Sequence, residues 1–239
     1  MLIGGVEKLS LLDYPDRLSA IIFTQGCNFR CHFCYNPMLV LPNAGGADNK
    51  LKDRLVNEDD LLAFLRERFG KLEAVVITGG EPTIHADLPE FIAKIKSLGY
   101  LVKLDTNGTN PAMLQQLLDK KLLDYLAMDV KAPWDKYERV VGVKPDLSKI
   151  KKSVKIIMNS GLPYEFRTTV APDLLSPEDI AALAGELKGA KQWFLQKFES
   201  HKDLVDPKFQ GAASYTNKDL KAMAEQAAAI SGCCIYRAY

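Results

Sequence analysis

No stretch of this 239-residue chain approaches eighteen consecutive apolar residues, so a membrane-spanning helix is not expected. Net charge is equally scarce. Lys and Arg number 31 and Asp and Glu 30, and the resulting +1 provides no field to draw the chain onto nucleic acid or an anionic membrane. No internal repeat or low-complexity tract interrupts the pattern. The opening segment carries Glu7 and Asp13 where a secretory leader needs an unbroken apolar stretch, so a cytoplasmic chain is expected. Cysteines number only five, and an odd count in such a chain argues against a disulfide framework and for metal or thiol chemistry. What is present is ordinary globular composition, 47% apolar and 26% charged, at a length that suits one domain over residues 1–239.

Apolar, β-branched runs recur at residues 18–24, 74–78, 100–105, 125–130, 164–170 and 193–198. Stripes of helical spacing lie between them, among them Leu61, Leu62 and Leu65, then Leu88, Phe91, Ile92 and Ile95, then Ile180, Leu183, Ala184 and Leu187. Asn57, Asn110 and Ser176 stand where N-caps are wanted, and Gly99 and Gly161 where helices end. Six strand-then-helix units predict a parallel sheet with helical crossovers. Six are too few to close an eight-stranded barrel, so the expected α/β architecture is an open partial (β/α)₆ barrel of the TIM type. Residues 1–17 read as a short N-terminal strand or hairpin, and residues 37–55, with Pro42, Gly45 and Gly46, as a surface loop.

Three of the cysteines, Cys27, Cys31 and Cys34, fall within eight residues directly after the first of the six strands. They therefore lie at the carboxyl end of a parallel strand, where such sheets place their chemistry. Three thiolates cannot complete a four-thiolate site, so a [4Fe–4S] cluster held by them has one iron open to a small molecule. A zinc site with His32 as fourth ligand competes with that reading, although His32 between Cys31 and Cys34 would chelate in a cramped ring. Reactive thiols or chance spacing are further alternatives. Cys233 and Cys234 are adjacent and point to opposite faces of an extended segment, so packing is expected rather than a joint metal role. The lysines at 149, 151, 152 and 155 read as a solvated helix face, His85 as loop, and His201 as a weak site candidate.

The spacing CxxxCxxC after the first strand, with Thr78-Gly79-Gly80-Glu81-Pro82 closing the second, resembles the radical S-adenosylmethionine (SAM) superfamily. The resemblance implies that Cys27, Cys31 and Cys34 hold a [4Fe–4S] cluster whose open iron takes the amino and carboxylate groups of SAM. It also implies that Gly79 and Gly80 let backbone approach the ligand, that Glu81 accepts from its ammonium, and that Phe33 faces its adenine. Segments like Asp105-Thr106-Asn107-Gly108 and Asp129-Val130-Lys131 lie, in glycyl-radical-enzyme activases, near the methionine and ribose of SAM. They imply roles for Asp105, Thr106, Asp129 and Lys131, with a monovalent cation at the first three. Arg167, if it points inward, could meet a SAM or substrate carboxylate.

More narrowly, Lys8-Leu9-Ser10-Leu11-Leu12-Asp13-Tyr14-Pro15 and the Cys34-Tyr35-Asn36-Pro37 junction, which includes the site candidate Asn36, resemble activases of anaerobic ribonucleotide reductase. These are relatives of the pyruvate formate-lyase activases. The implied reaction removes a hydrogen from one glycine Cα of the partner reductase, with flavodoxin or ferredoxin as electron donor. No side chain need act as general acid or base, because the cofactors carry the chemistry. The chain departs from the pattern at Tyr35 and Asp16, where activases often have His and Gly. The loop after Cys34 lacks the cysteines of a ferredoxin-like insert. Competing readings are a radical SAM enzyme acting on another substrate (a pyruvate formate-lyase-type partner, a peptide or a small molecule) and a non-catalytic iron–sulfur or zinc module.

Overall fold

The computed structural model describes residues 1–40, 55–200 and 203–238, and eight strands run through them as one sheet in chain order. β1 (Ile3–Ser10) pairs antiparallel with β2 (Ser19–Thr24). β3 (Ala74–Gly79), β4 (Leu101–Thr106), β5 (Tyr125–Asp129), β6 (Tyr164–Val170), β7 (Trp193–Lys197) and β8 (Ile235–Arg237) follow, each parallel to its predecessor. The order never reverses, so the topological switch point of a doubly wound sheet is missing. Among the described residues no ladder joins β8 back to β1, which leaves the barrel open as expected. The six expected parallel strands are all present, and residues 1–17 form the first arm of an antiparallel hairpin. β8 was not anticipated: three residues with an exposed Ile235 carry no readable alternation.

The helices are α1 (Pro37–Val40), α2 (Glu58–Arg68), α3 (Leu88–Ser97), α4 (Pro111–Asp119), α5 (Tyr137–Val141), α6 (Leu147–Met158), α7 (Pro177–Glu186) and α8 (Asn217–Ser231). The caps form as read. Asn57 accepts from the amides of Asp59 and Asp60, Asn110 accepts from Met113, and Ser176 closes a capping box with Asp179. The expectation of loop from residue 37 needs correction. Pro37 opens the helical turn α1, and its Leu39 and Val40 are buried, which a proline followed by Met, Leu and Val favours. Residues 41–54 of that segment, and His201, lie outside the described residues. The lysines at 149, 151, 152 and 155 are exposed on α6, and Cys234 is buried in the core with Cys233 half-buried beside it.

Alternation along the strands sorts the sheet into two faces. Ile22, Val75, Ile77, Val102, Leu104, Leu126, Met128 and Phe166 pack into the large apolar core under the helices. On the inner face Ile21, Ala74, Val76 and Tyr125 form a second, small cluster closed by Tyr14 from the β1–β2 loop. Lys103, Asp105 and Glu165 continue that inner face and are buried in it, with Asp129 and Arg167 half-buried beside them. The loop is pinned there by Lys103, whose Nζ donates to Asp13 O at 2.6 Å. β8 contributes Arg237, which meets the fully buried Glu165 at 2.6 Å and so answers a charge that could not otherwise be buried cheaply.

Candidate active site

The chain leaves β2 at Gln25 and returns at Leu39, and the two ends are tied together. Gln25 Nε2 donates to Met38 O and Leu39 O at 3.0 and 3.2 Å, and Gly26 N donates to Leu39 O at 2.7 Å. Gly26, at φ +98°, makes the turn that a side chain would resist. Inside this closed loop the residues alternate. Phe29, Cys31 and Phe33 are buried, while Asn28 is exposed and Arg30 and His32 are half-buried, and each of these three is tied to a different neighbour. Asn28 exchanges hydrogen bonds of 2.8 Å with Asn107 and Thr109. Arg30 N donates to Val141 O at 2.9 Å. His32 Nδ1 lies 2.9 Å from Asp206 Oδ2, and its ring stacks on Phe209.

The GGEP segment packs directly on this loop. Gly80 N donates to Thr24 O at 2.9 Å and Glu81 N to Gly26 O at 2.8 Å. A Cβ on Gly79 would lie 2.3 Å from Thr24 N, and one on Gly80 would lie 1.8 Å from Gly26 O. The missing side chains therefore admit the cysteine loop's own backbone. Glu81 is fully buried and takes four donors: the amide and hydroxyl of Thr83, the hydroxyl of Thr106 at 2.7 Å and the amide of Asn107 at 2.6 Å. Burial raises its pKa, and the hydrogen bonds work in the opposite direction. With roughly four lone-pair sites on a carboxylate and three donors on Oε1, one site is left, on Oε2.

Across the sheet Arg167 points inward, between two strand ends. Its Nε lies 2.8 Å from Asp129 Oδ1 and its Nη1 2.9 Å from Asp105 Oδ2. Lys131 meets Asp129 from the other side at 2.9 Å and lies over the Phe33 ring, 5.7 Å from its centroid. Burial opposes charge on Asp129, but Arg167 and then Lys131 outweigh it and hold the carboxyl well below its ordinary range. The same balance, with Asp129 outweighing burial, raises Lys131. Asp105 Oδ1 is buried without a hydrogen bond, 3.3 Å from Lys103 Nζ.

These walls enclose a cavity of about 360 Å³. Cys27, Cys31, Cys34, Phe33, Asn36, Gly79, Gly80, Glu81, Asp105, Thr106, Asp129, Lys131 and Arg167 all line it, so the candidates that the resemblance implied come to one place, while the weak candidate His201 lies outside the described residues. Sequence reasoning missed Asp13, Asn107, Thr169 and Gln196 on the same lining. Thr169 and Gln196 were recoverable, since period two along β6 and β7 sets them on the face of Arg167. Asp13 was not, because only the folded loop brings it there. Among the described residues no three His, Cys, Asp or Glu side chains converge on one point; the three thiols line the cavity instead, and His32 does not line it. Burial holds all three thiols in their protonated form, with Cys27 pushed up to about 11 and Cys31 to about 12.

The radical SAM superfamily profile matches residues 21–187. The chain belongs to the radical SAM superfamily. It is 37% identical over 214 residues to a Methanocaldococcus jannaschii protein provisionally named a glycyl-radical enzyme activating enzyme, an alignment spanning 87% of this chain and 84% of that one. It is 29% identical to the pyruvate formate-lyase-activating enzyme of Clostridium pasteurianum, over 79% of this chain and 77% of the relative. In fold it resembles Streptococcus suis SuiB bound to S-adenosylmethionine, with a TM-score of 0.62, 18% identity and 91% of this chain covered, although the chain spans only 48% of SuiB. A domain of a Bacteroides vulgatus pyruvate-formate lyase-activating enzyme matches with a TM-score of 0.55 and 14% identity, over 70% of this chain and 99% of that one. The resemblance and partial-barrel fold read from the sequence are borne out, and the chain is a radical SAM enzyme that uses a [4Fe–4S] cluster and SAM. The donor set fits these groups: three thiols open on a cavity with charged and aromatic walls. No helix among the described residues is long and apolar enough to cross a membrane.

Proposed function

We propose that this enzyme activates a glycyl-radical enzyme, and that its partner is anaerobic ribonucleotide reductase. In this reading it works in the cytoplasm, as one domain over residues 1–239, with flavodoxin or ferredoxin as electron donor. The observation that supports it is the convergence of the cysteine loop, the GGEP turn and the Asp105, Asp129 and Arg167 cluster on one cavity. Cys27, Cys31 and Cys34 hold the cluster. When bound, cluster and SAM together supply the 5′-deoxyadenosyl radical that removes a hydrogen atom from a glycine Cα.

The chain's own residues bind, orient and exclude water. Lys131 and Arg167, fixed by Asp129 and Asp105, present cations to the carboxylate of SAM. Phe33 offers a ring to its adenine, and the Gly79–Gly80 backbone and Asn36 line the remaining wall. Phe23, Phe29 and Val40 keep part of the lining apolar, which limits water around a reactive species. A monovalent cation at Asp105, Thr106 and Asp129 would join carboxylates that Lys103, Arg167 and Lys131 already balance.

The choice of reductase rests on the opening segment and on the junction after Cys34. The test is anaerobic incubation of cluster-loaded enzyme, SAM and reductant with the candidate partner. A glycyl-radical EPR doublet on the reductase supports the reading. A doublet on pyruvate formate-lyase alone reassigns the partner, an outcome to which the Clostridium pasteurianum relative lends weight. Cleavage of SAM with a doublet on neither points to another substrate.

A further inference from the structure

The resemblance implies a monovalent cation at Asp105, Thr106 and Asp129. A hard cation is held by oxygens, and it gains most where no other cation has answered their charge. Here all four carboxylate oxygens face a nitrogen cation. Arg167 Nε lies 2.8 Å from Asp129 Oδ1 and its Nη1 2.9 Å from Asp105 Oδ2. Lys131 Nζ lies 2.9 Å from Asp129 Oδ2, and Lys103 Nζ 3.3 Å from Asp105 Oδ1. Thr106 is engaged as well: its hydroxyl donates to Glu81 Oε1 at 2.7 Å and accepts from Gly108 N at 3.1 Å. The three residues therefore do not fit a free cation.

On β4, Lys103 stands two residues before Asp105 and so on the same face of the sheet. It is buried, with its ammonium 5.6 Å from the centroid of the Tyr125 ring. Three oxygens surround its Nζ: Asp13 O, to which it donates at 2.6 Å, Asp105 Oδ1 at 3.3 Å and Glu165 Oε1 at 3.8 Å. A carbonyl and two carboxylates are the oxygens a free cation would seek, and an ammonium is a compact point charge able to take that place. Arg237 holds Glu165 at 2.6 Å. Lys103, Lys131, Arg167 and Arg237 thus stand as four bases against the three acids Asp105, Asp129 and Glu165. Asp13 and Glu81, the remaining acids on the cavity lining, are engaged by the Ser10 hydroxyl and by Thr83, Thr106 and Asn107. A further cation would meet like charge here, whereas an incoming carboxylate restores the balance.

We propose that the ammonium of Lys103 replaces a free monovalent cation in this enzyme, so that SAM binds without sodium or potassium. The inference rests on the reading that SAM occupies this cavity. Lys103 acts through Asp105, which orients Arg167 toward the SAM carboxylate, and is a positioning residue. Tethered by its own stem and shielded by burial, this charge neither dissociates nor follows the salt in solution.

The test uses the full chain with its cluster in the oxidised state. SAM binding is measured by anaerobic calorimetry in sodium, potassium and choline chloride at one ionic strength. Sodium NMR linewidths are recorded with SAM present, before and after excess potassium. The parent is expected to bind SAM with the same affinity in all three salts, and potassium to leave its sodium signal unchanged. K103M is expected to bind SAM about tenfold more weakly in choline than in potassium, because loss of the ammonium opens the oxygens to a free ion. Weaker binding by the parent in choline, or a sodium signal that potassium sharpens, would overturn the proposal. So would a folded K103M whose affinity ignores the salt. Where K103M fails to fold, the two measurements on the parent decide. If the parent binds SAM in none of the salts, the SAM reading fails instead, and the sodium linewidths still decide whether a free cation is held.

Discussion

Gly80 and Gly26 touch through their backbones: a Cβ on Gly80 would lie 1.8 Å from Gly26 O, which also accepts the amide of Glu81 at 2.8 Å. The turn after β3 and the loop that carries the cysteines are therefore one packed unit. The obstacle to Gly80→Ala is main chain and cannot swing aside, so the cost falls at the upper end for overpacking, about 3 kcal/mol. The variant is expected to lose thermal stability and to retain less iron than the parent after reconstitution. Parent-like melting and iron content would contradict the packing described.

Glu81 ties β3 to β4 by accepting from Thr106 and Asn107 as well as from Thr83. Glu81→Ala strands those donors in a buried place, at about 1–3 kcal/mol for an unsatisfied group. Chemical denaturation should show a loss of roughly 3 kcal/mol or more, with a smaller loss for Glu81→Gln, which still accepts through one oxygen. Equal losses for the two variants would mean that the volume and the single acceptor kept by Gln contribute nothing, and that the negative charge or the second oxygen carries the effect.

How much of this was legible in sequence depends on how local the cause was. The six parallel strands were readable because alternation and helical stripes are short-range patterns, and Cys27, Cys31 and Cys34 because one loop carries them all. Gly79 and Gly80 line the cavity, and the main chain packed against them is that of Thr24 and Gly26, a neighbour set by strand pairing that no local pattern names. Asp13 reaches the cavity only because Lys103 and Tyr125 hold its loop against the inner face. β8 earns its place through Arg237 and the buried Glu165, a pairing of residues 72 apart that no local pattern announces.

Arg167 is bonded to both Asp129 and Asp105, so Arg167→Met leaves two largely buried carboxylates without their main partner. The expected destabilisation is about 3 kcal/mol, together with weaker binding of SAM by calorimetry. The pH dependence follows from Asp129, whose folded pKa is depressed. Its contribution is fully present above the unfolded value of about 3.9 and is lost as pH falls toward the lowered one. Stability of the parent should therefore drop below about pH 4, and Asp129→Asn should flatten that limb. A parallel drop in both proteins would assign the acid sensitivity elsewhere.

Burial keeps the cavity thiols protonated near neutrality, with Cys27 at about 11 and Cys31 at about 12. Iodoacetamide should thus modify the cluster-free folded protein slowly at pH 8, faster by up to roughly tenfold for each pH unit toward 11. Mass spectrometry of peptides carrying Cys27 and Cys31 would follow it, with the denatured chain as the fast control. Because ligation requires thiolates, cluster assembly should release protons. Rapid labelling of the folded protein at pH 7 would contradict the burial.

The most direct measurement is anaerobic reconstitution with iron and sulfide, followed by dithionite and SAM, with 5′-deoxyadenosine and methionine quantified by chromatography. The prediction is a [4Fe–4S] content of iron and sulfide and equal amounts of the two products, with neither product from Cys31→Ala. A fully loaded cluster that leaves SAM intact, or tightly held zinc without sulfide, would contradict the central claim that Cys27, Cys31 and Cys34 leave one iron open to SAM.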